Sequence, residues 1–223
     1  MTNPGSNSIT SIKYHNNVIF SSTNVKFLGL AIESSCTWKA HISQLMPKLC
    51  KACYSMRVIK PIMPTDIKNG ILLLFPFTFV LWNYIWGNSY SMHIFRIQKR
   101  IIIRTMSGLR SRDSCGDAFR DWGILPLQSQ YIFSLLMFVA NNMHLYHTTS
   151  HINGLNTRRN FDLCCPQTNL TTYQRGLLYF GIKLLNHLPL NIKELIHNIK
   201  QFRAVLSVFL RTKSYYTLDE YFN

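Results

Sequence analysis

Hydrophobic positions run in strand-like clusters at the start of the chain and then settle into helical spacing. Residues 9–14 and 18–20 are rich in β-forming types and flank Asn16-Asn17, a pair that tolerates positive φ, so a short hairpin is predicted there. Residues 25–32 follow as a third strand, in which Gly29 permits close backbone approach or a bulge. From Trp38 the period changes. Trp38, Ile42, Leu45, Leu49, Cys53 and Met56 recur at steps of three and four and lay one apolar stripe along a helix, with Lys39, Lys48, Lys51 and Arg57 mostly on other faces. Pro47 lies inside that helix and is expected to kink or split it, at up to ~3 kcal/mol.

Further on, Pro61 and Pro64 mark a connection, and Thr65-Asp66 offers the start of a long apolar helix that Gly87 closes. A helix over residues 92–106 buries Phe95, Ile102 and Met106 and shows Arg96, Arg100 and Arg104 at spacing four, with Lys99 beside them. Residues 108–112 make a basic loop, Asp113-Ser114 are expected to cap a short helix ending near Trp122-Gly123, and Pro126 opens another through Tyr131, Leu135, Phe138 and Val139 to Met143. Periodicity vanishes over residues 144–170. It returns over 173–188, stops at Pro189 and resumes over 192–210, and the aromatic end from Tyr215 to Phe222 is expected to dock back. The predicted fold is mainly α, a bundle-like helical region preceded by a small N-terminal β-hairpin or three-strand sheet. Its expected divisions are a β-rich segment (1–35), a helical region (36–147), a linker loop (148–170) and a C-terminal helical region (171–223).

Charge adds a partner to this picture. The 223 residues carry 24 Lys+Arg against 9 Asp+Glu, a net charge of +15, which attracts polyanions such as nucleic acid or acidic lipid. It is spread as +6 over residues 1–60, +4 over 61–150 and +5 over 151–223, so it belongs to the folded part and not to a basic tail. Nine carboxylates leave little material for acid/base or metal-ion chemistry, which disfavours a self-contained hydrolase or polymerase. Hydrophobic residues at 47% and aromatic residues at 13% argue for a packed core and against long disorder.

The six cysteines lie at 36, 50, 53, 115, 164 and 165. Cys50-x-x-Cys53 has no second pair at zinc spacing, and His144, His147 and His151 make no finger pattern with Cys164-Cys165, so small buried cysteines are expected in place of a metal site. The first seventeen residues contain no apolar core of a signal peptide, which points to a reducing compartment, nucleus or cytoplasm, and not to secretion. Residues 71–86 are the one candidate membrane segment, but Pro76 and Asn83 interrupt it and it falls short of the ~20 apolar residues of a spanning helix. A kinked core helix at the centre of the fold is expected there. Asp113, Asp117 and Asp121, the one acidic series at spacing four, read as caps and partners of Arg112 and Arg120, and His41 as a core or capping histidine.

Several blocks, taken in order, resemble the reverse transcriptases of LINE-type (non-LTR) retrotransposons, in particular the jockey-like group, in the part that follows the catalytic palm. They are Val25-Lys26-Phe27-Leu28-Gly29 with Trp38 and His41-Ile42, Phe75-Pro76 through Trp86-Gly87, and Ile97-Gln98-Lys99-Arg100 with Arg104. Gly123-Ile124-Leu125-Pro126-Leu127, Thr157-Arg158, Tyr179-Phe180-Gly181 and Asn186-His187-Leu188-Pro189 follow. The resemblance spans nearly the whole chain. It implies an RNA-directed DNA polymerase whose divalent metals sit on palm aspartates at a Phe/Tyr-x-Asp-Asp turn. No such turn occurs here, and the one adjacent acidic pair is Asp219-Glu220.

The resemblance therefore implies a non-catalytic thumb and post-thumb fragment of a transposable element, with no cofactor of its own and a divalent metal only in the missing palm. Its partners would be RNA and DNA, as template/primer duplex and element RNA, together with that palm. The expected nucleic-acid-binding residues are Arg96, Lys99, Arg100 and Arg104 on one helix, with Lys26 on the primer-grip-like strand and Arg158 and Arg159 in the long loop. Three departures from the family pattern stand out. Pro47 falls in a helix the family continues, Leu185 stands where an aromatic is common, and Met1 falls after the palm, as in a truncated or decayed element copy. The alternative is a membrane-surface or structural helical protein using residues 71–86.

Overall fold

The computed structural model describes residues 11–15, 17–27, 30–35, 38–62, 103–110, 112–149 and 162–223. It is mainly helical, with small antiparallel strand pairs ahead of the helices, and it divides into two units, Met1–Lys48 and Leu49–Asn223.

In the first unit β1 (Ser11–Tyr14) pairs with β2 (Asn17–Phe20) in the register Ile12↔Ile19, so the expected hairpin forms, but its turn falls one residue earlier than Asn16-Asn17: His15 takes φ +50° and Asn17 already pairs with Tyr14. The predicted third strand is instead two. β3 (Asn24–Phe27) pairs antiparallel with β4 (Leu30–Glu33), with Phe27 opposite Leu30, so a second hairpin replaces a longer strand. Burial follows the strand and not the face: Leu30 and Ala31 of β4 are buried, while Val25 and Phe27 of β3 stay exposed although Phe27 pairs directly with Leu30. The first helix, α1 (Lys39–Ile59), begins in this unit, and the Glu33 carboxylate accepts from the Ala40 N–H at 2.8 Å, an acid at the positive end of a helix. The imidazole Nδ1 of buried His41 accepts from the Ala31 N–H at 3.4 Å, making it the core histidine expected. Burial, then Lys48, holds its pKa below the usual histidine range.

The helix is not split at Pro47. α1 runs through it, and Ser43 and Pro47 are both exposed, so the carbonyl that loses its partner is not sealed in a core. Ile42, Leu49, Cys53 and Met56 are buried, as the stripe requires.

In the second unit the described chain resumes with α2 (Arg104–Ser107), then α3 (Gly116–Asp121) and α4 (Leu127–Asn141). α3 stops in a Schellman motif: Gly123 takes φ +62°, its N–H donates to the Arg120 carbonyl, and Ile124 N–H donates to the Phe119 carbonyl. Phe119 and Ile124 are buried, the apolar contact that accompanies such an end. α5 (Thr171–Gln174) and α6 (Leu177–His187) divide at Arg175-Gly176 where one helix over 173–188 is predicted. α7 (Leu190–Lys193) runs into a 3₁₀ turn, Glu194–His197, before α8 (Ile199–Lys213), whose first turn is capped by the Asn198 side chain. α9 (Leu218–Phe222) closes the chain.

The core of this unit joins Tyr131, Leu135 and Val139 of α4, Leu184 and Leu185 of α6, and Phe202, Leu206 and Leu210 of α8. α4 and α6 meet at Gly181, where an added Cβ would stand 2.7 Å from Val139 Cγ2. The aromatic end docks as expected: Tyr221 is buried and its hydroxyl donates to the Leu184 carbonyl at 2.9 Å, while Ser129 Oγ donates to the Tyr215 carbonyl. Burial pushes the hydroxyl pKa values of Tyr131 and Tyr221 up.

Cysteine burial departs from expectation. Cys53 and Cys115 are buried, but Cys50 and Cys164 are exposed and Cys165 half-buried. Cys50 follows Leu49 and is turned ~100° off the buried stripe. Burial, then neighbouring Cys50, pushes the Cys53 thiol up to about 11. An alkylating reagent at neutral pH should therefore label Cys50 and Cys164 and spare Cys53 and Cys115 until the protein is unfolded, as peptide mass mapping would show. Early labelling of Cys53 would contradict the packing of α1.

Candidate nucleic-acid interface

Of the predicted ridge, Arg96, Lys99 and Arg100 lie outside the described residues, as do Arg158 and Arg159 and the apolar segment 71–86. Arg104 and Lys26 are described and fall in different units. Lys26 is exposed on β3 opposite Ala31. Arg104 is half-buried at the start of α2, and its Nη2 donates to the Asp113 carbonyl at 3.0 Å. It therefore props a loop as well as carrying charge.

That loop is built locally. Gly108 takes φ +71° and ends α2, and the Asp113 carboxylate accepts from the Arg110 N–H at 2.8 Å while Asp113 N–H donates to the Arg110 carbonyl. Asp113 thus closes a turn and does not cap the next helix, whose N-cap position is Cys115. A short acidic side chain bonding its own loop competes with helix capping. The result holds Arg110 and Arg112 exposed, with no ion pair among the described residues. Asp117 pairs with Arg120 one turn along α3, as expected.

A second basic element carries no mark in the family blocks. On α8, Lys200, Arg203, Ser207 and Arg211 recur at steps of three and four beside the buried face of Phe202, Leu206 and Leu210. Arg203, Ser207 and Arg211 wall a groove of about 420 Å³ whose other side is the α3–α4 connection and the first turns of α4, including Gly123, Gln130 and Phe133. Among the described residues no carboxylate lines it. The Arg211 guanidinium lies over Gly123, 3.9 Å from where a Cβ would stand, so the left-handed glycine that ends α3 also leaves the groove open. The spacing rule that selects residues 96, 100 and 104 also selects 203, 207 and 211; the facing wall has no such local signal.

The segment carrying Arg158 and Arg159 is tied at its ends. Thr149 donates from both N–H and Oγ1 to the Asp162 carbonyl at 2.9 Å, and Thr148 bridges Leu163. Asp162 in turn accepts from Lys193 Nζ at 2.7 Å, and that ammonium also donates to the Asn186 carbonyl. The Asn186 carboxamide accepts from Leu163 N–H and donates to Leu163 C=O, satisfying both backbone groups at once.

Among the described residues no group of three or more His, Cys, Asp or Glu side chains is placed to hold a metal ion, and no helix is long and apolar enough to cross a membrane. Comparison with family models, curated proteins and solved structures finds no match for the chain.

Proposed function

We propose that this chain binds nucleic acid without catalysing synthesis, as the thumb and post-thumb part of a LINE-type reverse transcriptase gripping template and primer. The observation that carries this reading is that cations mounted on ordered elements stand without acidic partners. Arg110 and Arg112 on the propped loop, and Lys200, Arg203 and Arg211 on α8, make no ion pair among the described residues. Such groups bind phosphates of any sequence, the kind of interaction a polymerase needs. The ordered blocks from Val25 to Pro189 supply the link to the family, and the exposed Ile12, Phe20, Val25 and Phe27 of the hairpins offer an apolar surface to a palm.

Titrating an RNA/DNA duplex at several salt concentrations tests it. The logarithm of affinity should fall linearly with that of salt concentration, and Arg110→Ala with Arg112→Ala should flatten the slope by about one unit for each phosphate no longer neutralised. Affinity indifferent to salt would overturn the proposal.

A further inference from the structure

We infer that the groove between α8 and the α3–α4 connection is a seat for an unpaired nucleotide, so that Arg203 and Arg211 of the proposed grip serve a single strand. This deepens the nucleic-acid reading and rests on it.

Size and composition together favour this occupant. At about 420 Å³ the groove has the volume of a small-molecule pocket. A duplex keeps its bases paired inside and could offer such a groove only its phosphates, whereas an unpaired base can enter. Phe133 lines the groove, is half-buried, and makes no aromatic pairing among the described residues. Phe133 also packs against the core, so the part of its ring that lines the groove is what a base can meet, and stacking of this kind tolerates every sequence.

The polar groups suit a sugar-phosphate chain. Arg203 and Arg211 are eight residues apart on one helix, so their Cα atoms stand ~12 Å apart along its axis, with Ser207 halfway. That separation matches a ligand whose charges repeat along a chain better than a lone ion, which both guanidinium groups would have to bend to reach. Gln130 adds a carboxamide on the facing wall, able to donate to or accept from a base edge. With no carboxylate in the described lining, nothing there neutralises the arginines or repels a phosphate.

Fluorescence anisotropy on the full chain tests the inference, using a short labelled oligothymidylate beside a duplex of the same length. Arg203→Ala with Arg211→Ala should weaken oligothymidylate binding by tenfold or more, since each variant removes a charge-assisted contact to phosphate. Phe133→Leu removes no charge and keeps an apolar side chain against the core. It should cost the single strand about tenfold while leaving duplex affinity within about twofold. Circular dichroism and the melting temperature identify a variant that has lost its fold; Arg203→Lys with Arg211→Lys, which keeps charge but not the planar fork, then provides the intermediate affinity expected of a phosphate site. Single-strand binding unchanged in both the arginine and the Phe133 variants overturns the site. So does displacement of oligothymidylate by equimolar inorganic pyrophosphate, which would mark an anion pocket with no place for a base. Duplex binding by a wild-type chain that ignores oligothymidylate overturns this inference and leaves the proposed function standing. Failure to bind either probe removes both.

Discussion

Lys193→Met should lower the stability of the second unit by about 3 kcal/mol, at the lower end of what breaking a buried ion pair costs. Lys193 and Asp162 are 9% and 17% exposed at their side chains, so solvent screens the pair weakly. Removing the ammonium leaves the Asp162 carboxylate and the Asn186 carbonyl without their donor. Methionine keeps the stem of the side chain, so packing changes little. Denaturant unfolding followed by helix circular dichroism measures the change, and the double variant Lys193→Met with Asp162→Asn should recover most of it, because no unpaired charge is then left inside. A loss under about 1 kcal/mol would class the pair with ordinary surface salt bridges and sink the prediction.

The same pair connects stability to binding. Asp162 holds Thr149 through its backbone and Lys193 through its side chain, so it joins α7 to both ends of the segment that carries Arg158 and Arg159. If those arginines contribute to nucleic-acid affinity, the Lys193 variant should lose part of that contribution at temperatures where its helices remain folded.

Local rules make much of the fold legible. The hairpin is legible because a polar break separates two β-forming runs, although its turn falls one residue earlier than Asn16-Asn17, with His15 at positive φ and Asn17 already paired with Tyr14. Pro126 marks the start of α4 because its missing N–H costs nothing at a helix start. The stripes through Leu49, Cys53 and Met56, and through Phe202, Leu206 and Leu210, are legible because burial imposes the helical period. Residues 25–32 are ambiguous, since an apolar run broken by Lys26 and Gly29 satisfies a strand and a hairpin alike, and nothing local specifies that Phe27 pairs with Leu30. Asp113 illustrates another limit. Its carboxylate has a choice between a helix N-terminus and a turn N–H, and the turn wins. Lys193 carries no local sign of burial, because a lysine beside Glu194 reads as surface until the Asp162 carboxylate and the Asn186 carbonyl converge on it. The groove is hidden for the same reason: half of it, Arg203 to Arg211, follows from spacing, while Gly123, Gln130 and Phe133 arrive only by packing.

Gly181→Ala should destabilise the second unit by about 1 kcal/mol even though alanine is the better helix former, because overpacking of a well-filled core outweighs propensity here. In the middle of α6 the substitution gains up to ~1 kcal/mol of helix propensity. Against that, the new methyl would stand 2.7 Å from Val139 Cγ2, a separation real Cβ atoms essentially never show, so one helix must move. Val139 is fully buried in the core that α4 shares with α6 and α8, and overpacking a site of this kind typically costs about 1–3 kcal/mol. Spread over a chain of this size, each kcal/mol of destabilisation should lower the melting temperature by ~2–4 °C. Val139→Ala alone opens a void and is also destabilising, but it vacates the volume that a methyl group at position 181 requires. The double variant should therefore lose less than the sum of the two single losses, with a coupling of about 1–2 kcal/mol between them. Strict additivity would mean that α4 and α6 do not touch at this pair, and the close approach that fixes the whole helical core would have to lie elsewhere.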